Sequence, residues 1–425
     1  MAGKHSADDD FNPYRHQSNR QNEENIKRNS KENYVAESYN KTGSNRGVNS
    51  NSKVSNGNTN RTIKGKTGEV EDVERRKRVS KGNTKKKHKG LKIFAIFLLV
   101  IAIIVLLVAG GAFYFINDKI GKMQKVDINE GNLGISTNEN LEGYRNIAIF
   151  GVDSRSNNLD VGNRSDCIII ANINNKTKEV KLISVYRDTY VQISENGSKL
   201  DKITHAYAYG GPELAIQTLN TNLDLNIKEF VTVNFDSVAE AVDQLGGITM
   251  TLTSEEVDYA NDYIRETARV TGKSATYISS SGKQTLNGVQ AVAYSRIRYT
   301  SGGDYKRTER MRDVIEAMLA KLKTKSLGEI NAFADSILPK VYTNLDTNDI
   351  LSLAPSVAKF NITESIGWPY ETKGITLDRW YGIPVTLESN VEKLHREEFD
   401  DPDYEAPEKV KTISNKIINK TGYTD

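Results

Sequence analysis

The sequence is poor in cysteine, tryptophan and proline, with one Cys, two Trp and eight Pro in 425 residues. The single cysteine, Cys167, excludes an internal disulfide, and its position in an apolar run predicts an ordinary core residue. No Ser or Cys stands in a catalytic-triad signature. His205 is therefore interpreted as a hydrogen-bonded residue that supports a loop, with catalysis as the alternative.

Apolar residues are scarce over the first 92 positions, so residues 1–92 cannot bury a core and are predicted to be disordered. This region carries 22 Lys and Arg against 11 Asp and Glu, a net charge of +11, whereas the rest carries 36 against 44, or −8. Its basic residues alternate with Asn and Ser rather than aromatics, and the densest run precedes an apolar segment. That pattern favours contact with anionic lipid and predicts no nucleic-acid partner.

The apolar segment, residues 93–116, contains 24 residues and no charge. At ~1.5 Å per residue it forms a helix long enough to cross a hydrocarbon core of about 30 Å. Five lysines lie between positions 85 and 92, so the positive-inside rule predicts a single-pass protein of the cell membrane, with residues 1–92 in the cytoplasm and the remainder outside. A cleaved signal peptide is the alternative, but the run is too long and no cleavage site closes it.

After a predicted linker at 117–140, strand and helix patterns alternate through a domain at 141–425. The pattern predicts an α/β fold, a three-layer α/β/α sandwich with a central mixed sheet. The predicted strands are 147–150, 167–173, 180–186, 230–235 and 248–252. The predicted helices are 212–223, 237–245, 287–297, 304–323, 350–360 and 409–418.

The loop between the first two strands is rich in acids and arginines, namely Asp153, Arg155, Asp160, Arg164 and Asp166. Carboxylates can hold a hard cation such as Mg²⁺ or Mn²⁺, and arginines can bind phosphate through two parallel hydrogen bonds. The mixture predicts a metal-bridged pyrophosphate site. The alternative is an ordinary turn in which Asp and Arg pair in solvent.

Further basic residues follow other elements. Arg187 and Asp188 come directly after the third strand, at the carboxyl edge where α/β sheets bind ligands, and Lys202 can approach the same edge. Arg296 and Arg298 end a predicted helix and are assigned to phosphate binding.

Arg307 and Arg312 lie on the next helix. With Glu309 and Asp313 as partners, they are interpreted as a solvated charged face that needs no function.

Six blocks together resemble the LytR-CpsA-Psr family over about 180 residues: GVDSR at 151–155, RSD at 164–166, LISVYRDTYV at 182–191, KITHAYAYGG at 202–211, VNF with VDQLGGI at 233–248, and LNGVQAVAYSRIR with GGDYKRTER at 286–310. The resemblance implies an extracytoplasmic phosphotransferase. Such an enzyme moves an anionic glycopolymer, such as teichoic acid or capsular polysaccharide, from a polyprenyl-pyrophosphate carrier to peptidoglycan.

The resemblance also implies roles for individual residues. Asp153 and Asp166 correspond to metal-binding acids. The residues that match the pyrophosphate site are Arg164, Arg187, Lys202, Arg296, Arg298 and Arg310. The predicted catalytic residues are Arg187, Asp188 and Arg298; Asp188 is either the base for the acceptor hydroxyl or an acid that orients Arg187.

The chain departs from the family pattern at three positions: Tyr186 replaces a usual Pro, Cys167 a common Thr, and Met311 a Gln near the pyrophosphate. Two other functions stay open. One is a pyrophosphatase that uses water as acceptor on the same site. The other is a non-catalytic anchored binding protein or transcription attenuator, which has no need of a metal-pyrophosphate site.

Overall fold

The structure is a computed structural model. The residues it describes are 117–118, 121–154, 158–193, 199–346, 348–349 and 359–424. The predicted tail and membrane helix, residues 1–116, and most of the predicted helix at 350–360 lie outside the described residues. Among the helices that the structure does describe, none has the length and apolar character needed to cross a membrane.

The centre of the described chain is a mixed sheet, as predicted. The strands of the described chain are β1 Gln124–Lys125, β2 Tyr144–Val152, β3 Ser165–Asn174, β4 Glu179–Val185, β5 Tyr190–Ile193, β6 Lys199–Lys202, β7 Glu229–Asn234, β8 Ile248–Leu252, β9 Gly282–Leu286, β10 Tyr342–Thr343, β11 Asn361–Trp368, β12 Thr372–Thr376 and β13 Trp380–Pro384. The central sheet has the spatial order β1, β10, β7, β2, β3, β4 and β11. Strands β2–β3 and β3–β4 pair antiparallel, whereas β2–β7 and β4–β11 pair parallel.

Helices cover both faces of this sheet. Side chains alternate along a strand, so Ala148 and Phe150 of β2 enter one apolar cluster while Ile147 enters another. The helices are α1 Thr204–Leu223, α2 Phe235–Gln244, α3 Ser254–Thr271, α4 Gly288–Ser295, α5 Gly303–Leu322, α6 Leu327–Ile337, α7 Leu387–Glu398 and α8 Glu408–Thr421. Side chains of α1, α7 and α8 belong to the first cluster, and α2, α5 and α6 cover the other face of the sheet.

Helix α1 starts eight residues before the predicted start at Pro212. The chain leaves helical geometry at Gly210 and Gly211 and resumes at Pro212, so the Gly-Gly-Pro sequence marks a kink inside the element. Gly211 has a φ of +64°, and a Cβ there would lie 3.0 Å from Asp160 Oδ1. The kink therefore requires glycine at this position.

Strand β8 was predicted at its observed bounds, but it lies outside the central sheet. It pairs antiparallel with β9 in a separate two-stranded sheet. These strands and helices α3 and α4 bury an apolar cluster of their own, which includes Ile248, Ile264 and Leu286. This unit carries α4 and the arginines that follow it.

The predicted linker at 117–140 contributes to the folded domain in the structure. Strand β1 pairs parallel with β10 at the sheet edge. Leu133 is fully buried in the main apolar cluster.

Candidate active site

Asp166, the second residue of β3, is surrounded by guanidinium groups. Arg187 Nη1 donates a hydrogen bond to Asp166 Oδ1. Asp166 Oδ2 lies 3.8 Å from Arg298 Nη2 and 3.9 Å from Arg307 Nη1. One carboxylate facing three always-charged groups leaves an excess of positive charge at this point, which favours an anionic ligand.

The topology delivers these groups to one edge. Strand β3 begins where the antiparallel strand β4 ends, so Asp166 and Arg187 meet there. Helix α4 ends at Ser295, and the turn after it carries Arg298 to the same place. This is the carboxyl edge of β4 that the sequence indicated.

Asp188 and Lys202 form a second ion pair beside the first. Lys202 Nζ lies 2.7 Å from Asp188 Oδ1, whereas Arg187 Nε lies 3.7 Å from the same oxygen. The ammonium also lies 5.6 Å from the ring centroid of Tyr381. Asp188 thus contacts both Lys202 and Arg187, and its two predicted roles, base and orienting acid, both stay open.

Arg298 Nε lies 3.4 Å from Asp304 Oδ1. We refer to the described side chains connected by these contacts as the arginine–aspartate cluster. Four are cationic and three are acidic, which gives a net charge of +1. They are Arg187, Lys202, Arg298, Arg307, Asp166, Asp188 and Asp304.

The interpretation of Arg307 as a solvated helix-face charge is wrong. Only 2% of the Arg307 surface is exposed to solvent. The guanidinium Nη2 donates to the backbone carbonyl of Asp166 at 3.0 Å and lies 3.1 Å from Asp304 Oδ1. Burial lowers the pKa of Arg307, and the Asp304 carboxylate acts in the opposite direction. The physical reason is that the first turn of α5 packs against the start of β3 instead of facing water.

The same interpretation is wrong for Arg312, which is 6% exposed. Its Nε donates to Ser365 Oγ of β11 at 2.8 Å, and its Nη1 is buried without a hydrogen-bond partner among the described residues. Burial lowers the pKa of Arg312 as well.

Arg296 and Arg310 are not brought to the cluster, because acids of α3 bind them. Arg296 Nη2 donates to Glu266 Oε2 at 3.0 Å. Arg310 is 1% exposed, and its Nε donates to Glu256 Oε1 at 3.1 Å. Arg310 Nη1 also donates to the Ile297 carbonyl at 3.3 Å, so it holds the turn that presents Arg298.

Asp153 and Arg164 are exposed at the same sheet edge. Asp153 directly follows β2, and its backbone N–H donates to the Arg164 carbonyl at 3.4 Å. The two residues therefore lie next to each other where β2 ends and β3 begins. Arg155 lies outside the described residues, and Asp160 is placed beside Gly211 instead.

His205 contacts Asp201, as expected of a hydrogen-bonded residue that supports a loop. His205 Nδ1 lies 2.9 Å from Asp201 Oδ1, and Tyr209 donates to Asp201 Oδ2 at 2.8 Å. Burial raises the pKa of Asp201, but hydrogen bonds from Lys199, the Lys202 backbone, Tyr209 and His205 outweigh it and lower that pKa to about 2. This network fixes strand β6 and thereby Lys202.

The donor set for the expected Mg²⁺ is small. Among the described residues no group of three or more His, Cys, Asp or Glu side chains could hold a metal ion. Asp153 and Asp166 stand at the adjoining ends of β2 and β3. Two carboxylates suit Mg²⁺ where substrate phosphates and water complete the octahedron, so the residues fit a metal that arrives with its substrate.

Sequence reasoning missed Asp304 and Arg307 as site residues. Helical spacing contained a signal for Arg307, because Arg307, Met311 and Val314 lie at i, i+4 and i+7, the spacing of one helix face. Met311 and Val314 are buried. An arginine in line with a buried apolar stripe is not a solvated charge.

A model of the LytR_cpsA_psr family matches residues 112–384. The chain belongs to this family. The match spans the whole arginine–aspartate cluster and the helices that support it. The predicted family membership is thus confirmed.

Two curated relatives of the chain are similar over much of their length. The polyisoprenyl-teichoic acid–peptidoglycan teichoic acid transferase TagU of Enterococcus faecalis is 32% identical over 269 residues, which cover 63% of this chain and 83% of TagU. The transferase of the same description, TagT of Bacillus subtilis, is 32% identical over 238 residues, covering 54% and 70%. The crystal structure of protein gbs0355 from Streptococcus agalactiae matches with a TM-score of 0.50 and 26% identity over 62% of this chain and 91% of that one.

The positions at which this LytR_cpsA_psr member departs from the family pattern pack into the protein. Tyr186 contacts Tyr305 edge to face, with ring centroids 4.4 Å apart. Met311 is 8% exposed on α5. Burial raises the pKa of the Cys167 thiol to about 12, although Arg307 and Arg312 lower it in part. Cys167 is therefore a packing residue with an unreactive thiol at neutral pH.

Proposed function

We propose that this chain is a membrane-anchored phosphotransferase that moves an anionic glycopolymer from a polyprenyl-pyrophosphate carrier to peptidoglycan. The observation that carries the proposal is the arginine–aspartate cluster, in which three guanidinium groups converge on Asp166 with a net positive charge. The names of TagU and TagT, which describe transfer of teichoic acid from a polyisoprenyl carrier to peptidoglycan, support the same substrates.

In the proposed reaction, a peptidoglycan hydroxyl oxygen bonds to the phosphorus that carries the glycan. The bond from that phosphorus to the bridging oxygen breaks, and polyprenyl phosphate leaves with the electron pair. Arg187, Arg298 and Arg307 bind the pyrophosphate oxygens and stabilise the charge that develops on the leaving group. Asp188 accepts the hydroxyl proton, and its ion pair with Lys202 positions it.

Asp153 and Asp166 are the residues that would hold Mg²⁺ or Mn²⁺. Such an ion would supply positive charge to the pyrophosphate oxygens and so would favour departure of the polyprenyl phosphate. Arg164, exposed beside Asp153, can contact the glycan-side phosphate. Arg296 and Arg310 support the proposed site through the turn around Arg298.

The polyprenyl chain needs an apolar path next to the cluster. The apolar cluster between the sheet and α5 contains Ile169 and Leu182, with Cys167 and Ile315 packed against it. Cys167 directly follows Asp166 in β3, so this apolar region begins next to the charged groups. We place the carrier lipid on this face of a three-layer α/β/α domain.

The proposal places the protein in the cell membrane. It rests on the uncharged segment 93–116 and the basic residues before it, which together favour a cytoplasmic tail and an external domain at 141–425. The charge difference between tail and domain is consistent with contact of the tail with anionic lipid.

The test is transfer by the full chain in detergent, with a synthetic polyprenyl-pyrophosphate glycan, peptidoglycan oligomers and Mg²⁺. We expect a phosphodiester-linked product, reduced about 10²–10³-fold in Arg298→Ala and Arg307→Ala because each variant loses a group aimed at developing charge. Asp153→Ala should raise the Mg²⁺ concentration needed for half-maximal transfer, because it removes a proposed metal ligand. Arg265→Ala removes an exposed arginine of α3 and should leave transfer unchanged.

Two other outcomes would replace the proposal. Release of glycan phosphate without attachment to peptidoglycan identifies a pyrophosphatase that uses water. Absence of turnover with intact lipid binding in every variant identifies an anchored binding protein.

A further inference from the structure

The β12–β13 hairpin lies directly beside the arginine–aspartate cluster. The Gly382 backbone N–H donates to the Asp188 carbonyl at 3.0 Å, and Thr189 forms a parallel bridge with Gly382. Strand β13 therefore lies next to Asp188, whose carboxylate is proposed as the base.

Trp380, the first residue of β13, presents an aromatic surface there. Its surface is 43% exposed, an unusual fraction for a tryptophan. A Cβ added to Gly374 would lie 2.9, 3.1 and 3.2 Å from three atoms of the indole, so the ring faces this glycine of the opposite strand. Gly374 and Gly382 are cross-strand partners. One side of the indole is thus held against a glycine, and solvent reaches the other.

A small pocket of about 10 Å³, room for one water-sized group, lies between the hairpin and the start of α5. It is lined by Tyr186, Asp188, Thr189, Asp304, Tyr305, Thr372, Trp380 and Gly382. Tyr305 of α5 is 37% exposed, and it lines the pocket together with Thr372 of the hairpin.

The chemistry of this lining points to a sugar. Neither Lys nor Arg is among the described residues that line the pocket, so it does not suit the pyrophosphate that the adjoining guanidiniums bind. Asp188 and Asp304 can accept hydrogen bonds from sugar hydroxyls. Trp380 and Tyr305 offer aromatic surfaces on which the apolar C–H face of a pyranose ring can stack.

We infer that a pyranose ring of the acceptor glycan stacks on the exposed side of Trp380 and places one of its hydroxyls in this pocket, at Asp188. The inference rests on the proposed function, because only transfer to a sugar requires such a subsite. The acceptor is favoured over the donor glycan because Asp188, which must meet the attacking hydroxyl, lines this pocket. Trp380 is a specificity residue in this arrangement, and Gly374 provides the space that the indole occupies.

Binding can be measured without turnover. The chain has two tryptophans, and the other one, Trp368, is fully buried, so acrylamide quenching of the full chain in detergent reports mainly on Trp380. We expect N-acetylglucosaminyl-N-acetylmuramic acid disaccharide to protect Trp380 from quenching. Gly374→Val, whose side chain displaces the indole, should abolish this protection, and Tyr277→Ala should not, because Tyr277 is an exposed aromatic outside the pocket.

Kinetics then assign the sugar to acceptor or donor. Trp380→Ala should raise KM for the peptidoglycan oligomer about tenfold, the effect of losing one aromatic contact, with donor KM unchanged. Trp380→Phe should restore most of the affinity. A rise in donor KM, or no protection by the disaccharide, overturns the inference. Protection without transfer supports the pocket while removing the proposed function, so the two failures are distinguishable.

Discussion

Arginines near the candidate site differ in what balances their charge. Arg307 is buried, and it shares the carboxylates of Asp304 and Asp166 with Arg298. Arg310 is buried against Glu256 on α3. A buried guanidinium that has an acid of its own is neutralised without a ligand. Guanidiniums that share acids keep an excess of positive charge, which is available to bind an anionic ligand. Burial alone therefore does not separate supporting arginines from binding arginines.

Replacement of Arg310 should affect stability first. Arg310→Met leaves Glu256 buried without its cation, and breaking such a pair costs about 3–5 kcal/mol of unfolding free energy. Urea unfolding of the full chain, followed by the fluorescence of buried Trp368, measures the change. Arg310→Met combined with Glu256→Gln should recover part of the loss. Unchanged stability together with a raised donor KM would instead show that Arg310 contacts the pyrophosphate.

The lowered pKa of Asp201 predicts how the stability of the protein changes at acid pH. Its folded-state pKa of about 2 lies below the ordinary value, so its contribution is complete above about pH 4 and is lost as the pH falls towards 2. A shift of this size corresponds to about 2 kcal/mol. Asp201→Asn should therefore be less stable than the wild type at pH 7, and the difference should shrink between pH 4 and pH 2. A difference independent of pH would contradict this assignment.

At the level of single residues, sequence reasoning placed groups at the correct edge but could not assign their partners. Asp166, Arg187, Asp188, Lys202 and Arg298 come together as the strand ends indicated. The partner of an arginine depends on which helix packs beside it. The assignments of Arg296 and Arg310 to α3 thus required the tertiary arrangement.

At the level of elements, the close contact between α2 and α4 determines where α4 presents its arginines. A Cβ at Gly288 would lie 2.0 Å from the Ala239 backbone oxygen. The first turn of α4 can approach α2 only because this residue has no side chain. Helix α4 leads directly into the turn that carries Arg298, so this approach fixes the position of that guanidinium.

We expect Gly288→Ala to destabilise the protein by about 3 kcal/mol, since a methyl group must displace backbone in a packed interior. Transfer activity should fall in parallel, because α4 shifts with its arginines. Gly328→Ala is the matched control: it lies in α6 with open space around its Cβ and should change stability by at most about 1 kcal/mol. An unaltered unfolding midpoint in Gly288→Ala would show that the two helices can separate without cost.

Element types were predicted well where the apolar period was clear and poorly where pairing decided the outcome. Strand β8 had the correct bounds, yet its partner is β9 and not the central sheet. Local period carries no information about the partner of a strand. Helix α1 was predicted to begin only at Pro212, because Gly210 and Gly211 were interpreted as a turn before it, whereas the observed helix continues on both sides of this kink.

For the whole molecule, the predicted topology can be tested with cysteine labelling. The native Cys167 has a thiol pKa raised to about 12 and provides a silent background. A membrane-impermeant maleimide on intact cells should label Lys176→Cys, which lies in the exposed turn between β3 and β4. Ser52→Cys, in the basic tail, should react only after lysis. The reverse pattern would invert the proposed orientation.

The order of strands across the sheet could not be derived from the sequence. Strand β11 pairs parallel with β4, although Asn361 follows Val185 by 176 positions. Apolar period identifies each strand, but the choice between distant partners depends on the helices that cross the sheet between them. The three-stranded arrangement of β2, β3 and β4 was simpler, because short connections favour antiparallel neighbours.

This distant pairing has a consequence for biogenesis. At roughly 5–20 residues per second, a ribosome needs ~10–35 s to synthesise the chain between β4 and β11. During that interval the backbone N–H and C=O groups along the outer edge of β4 are a template for any neighbouring strand. A nascent chain released by a premature stop codon before Asn361 would retain this open edge permanently. Such fragments should aggregate or require chaperones and proteases, even though every residue of the arginine–aspartate cluster has already been translated.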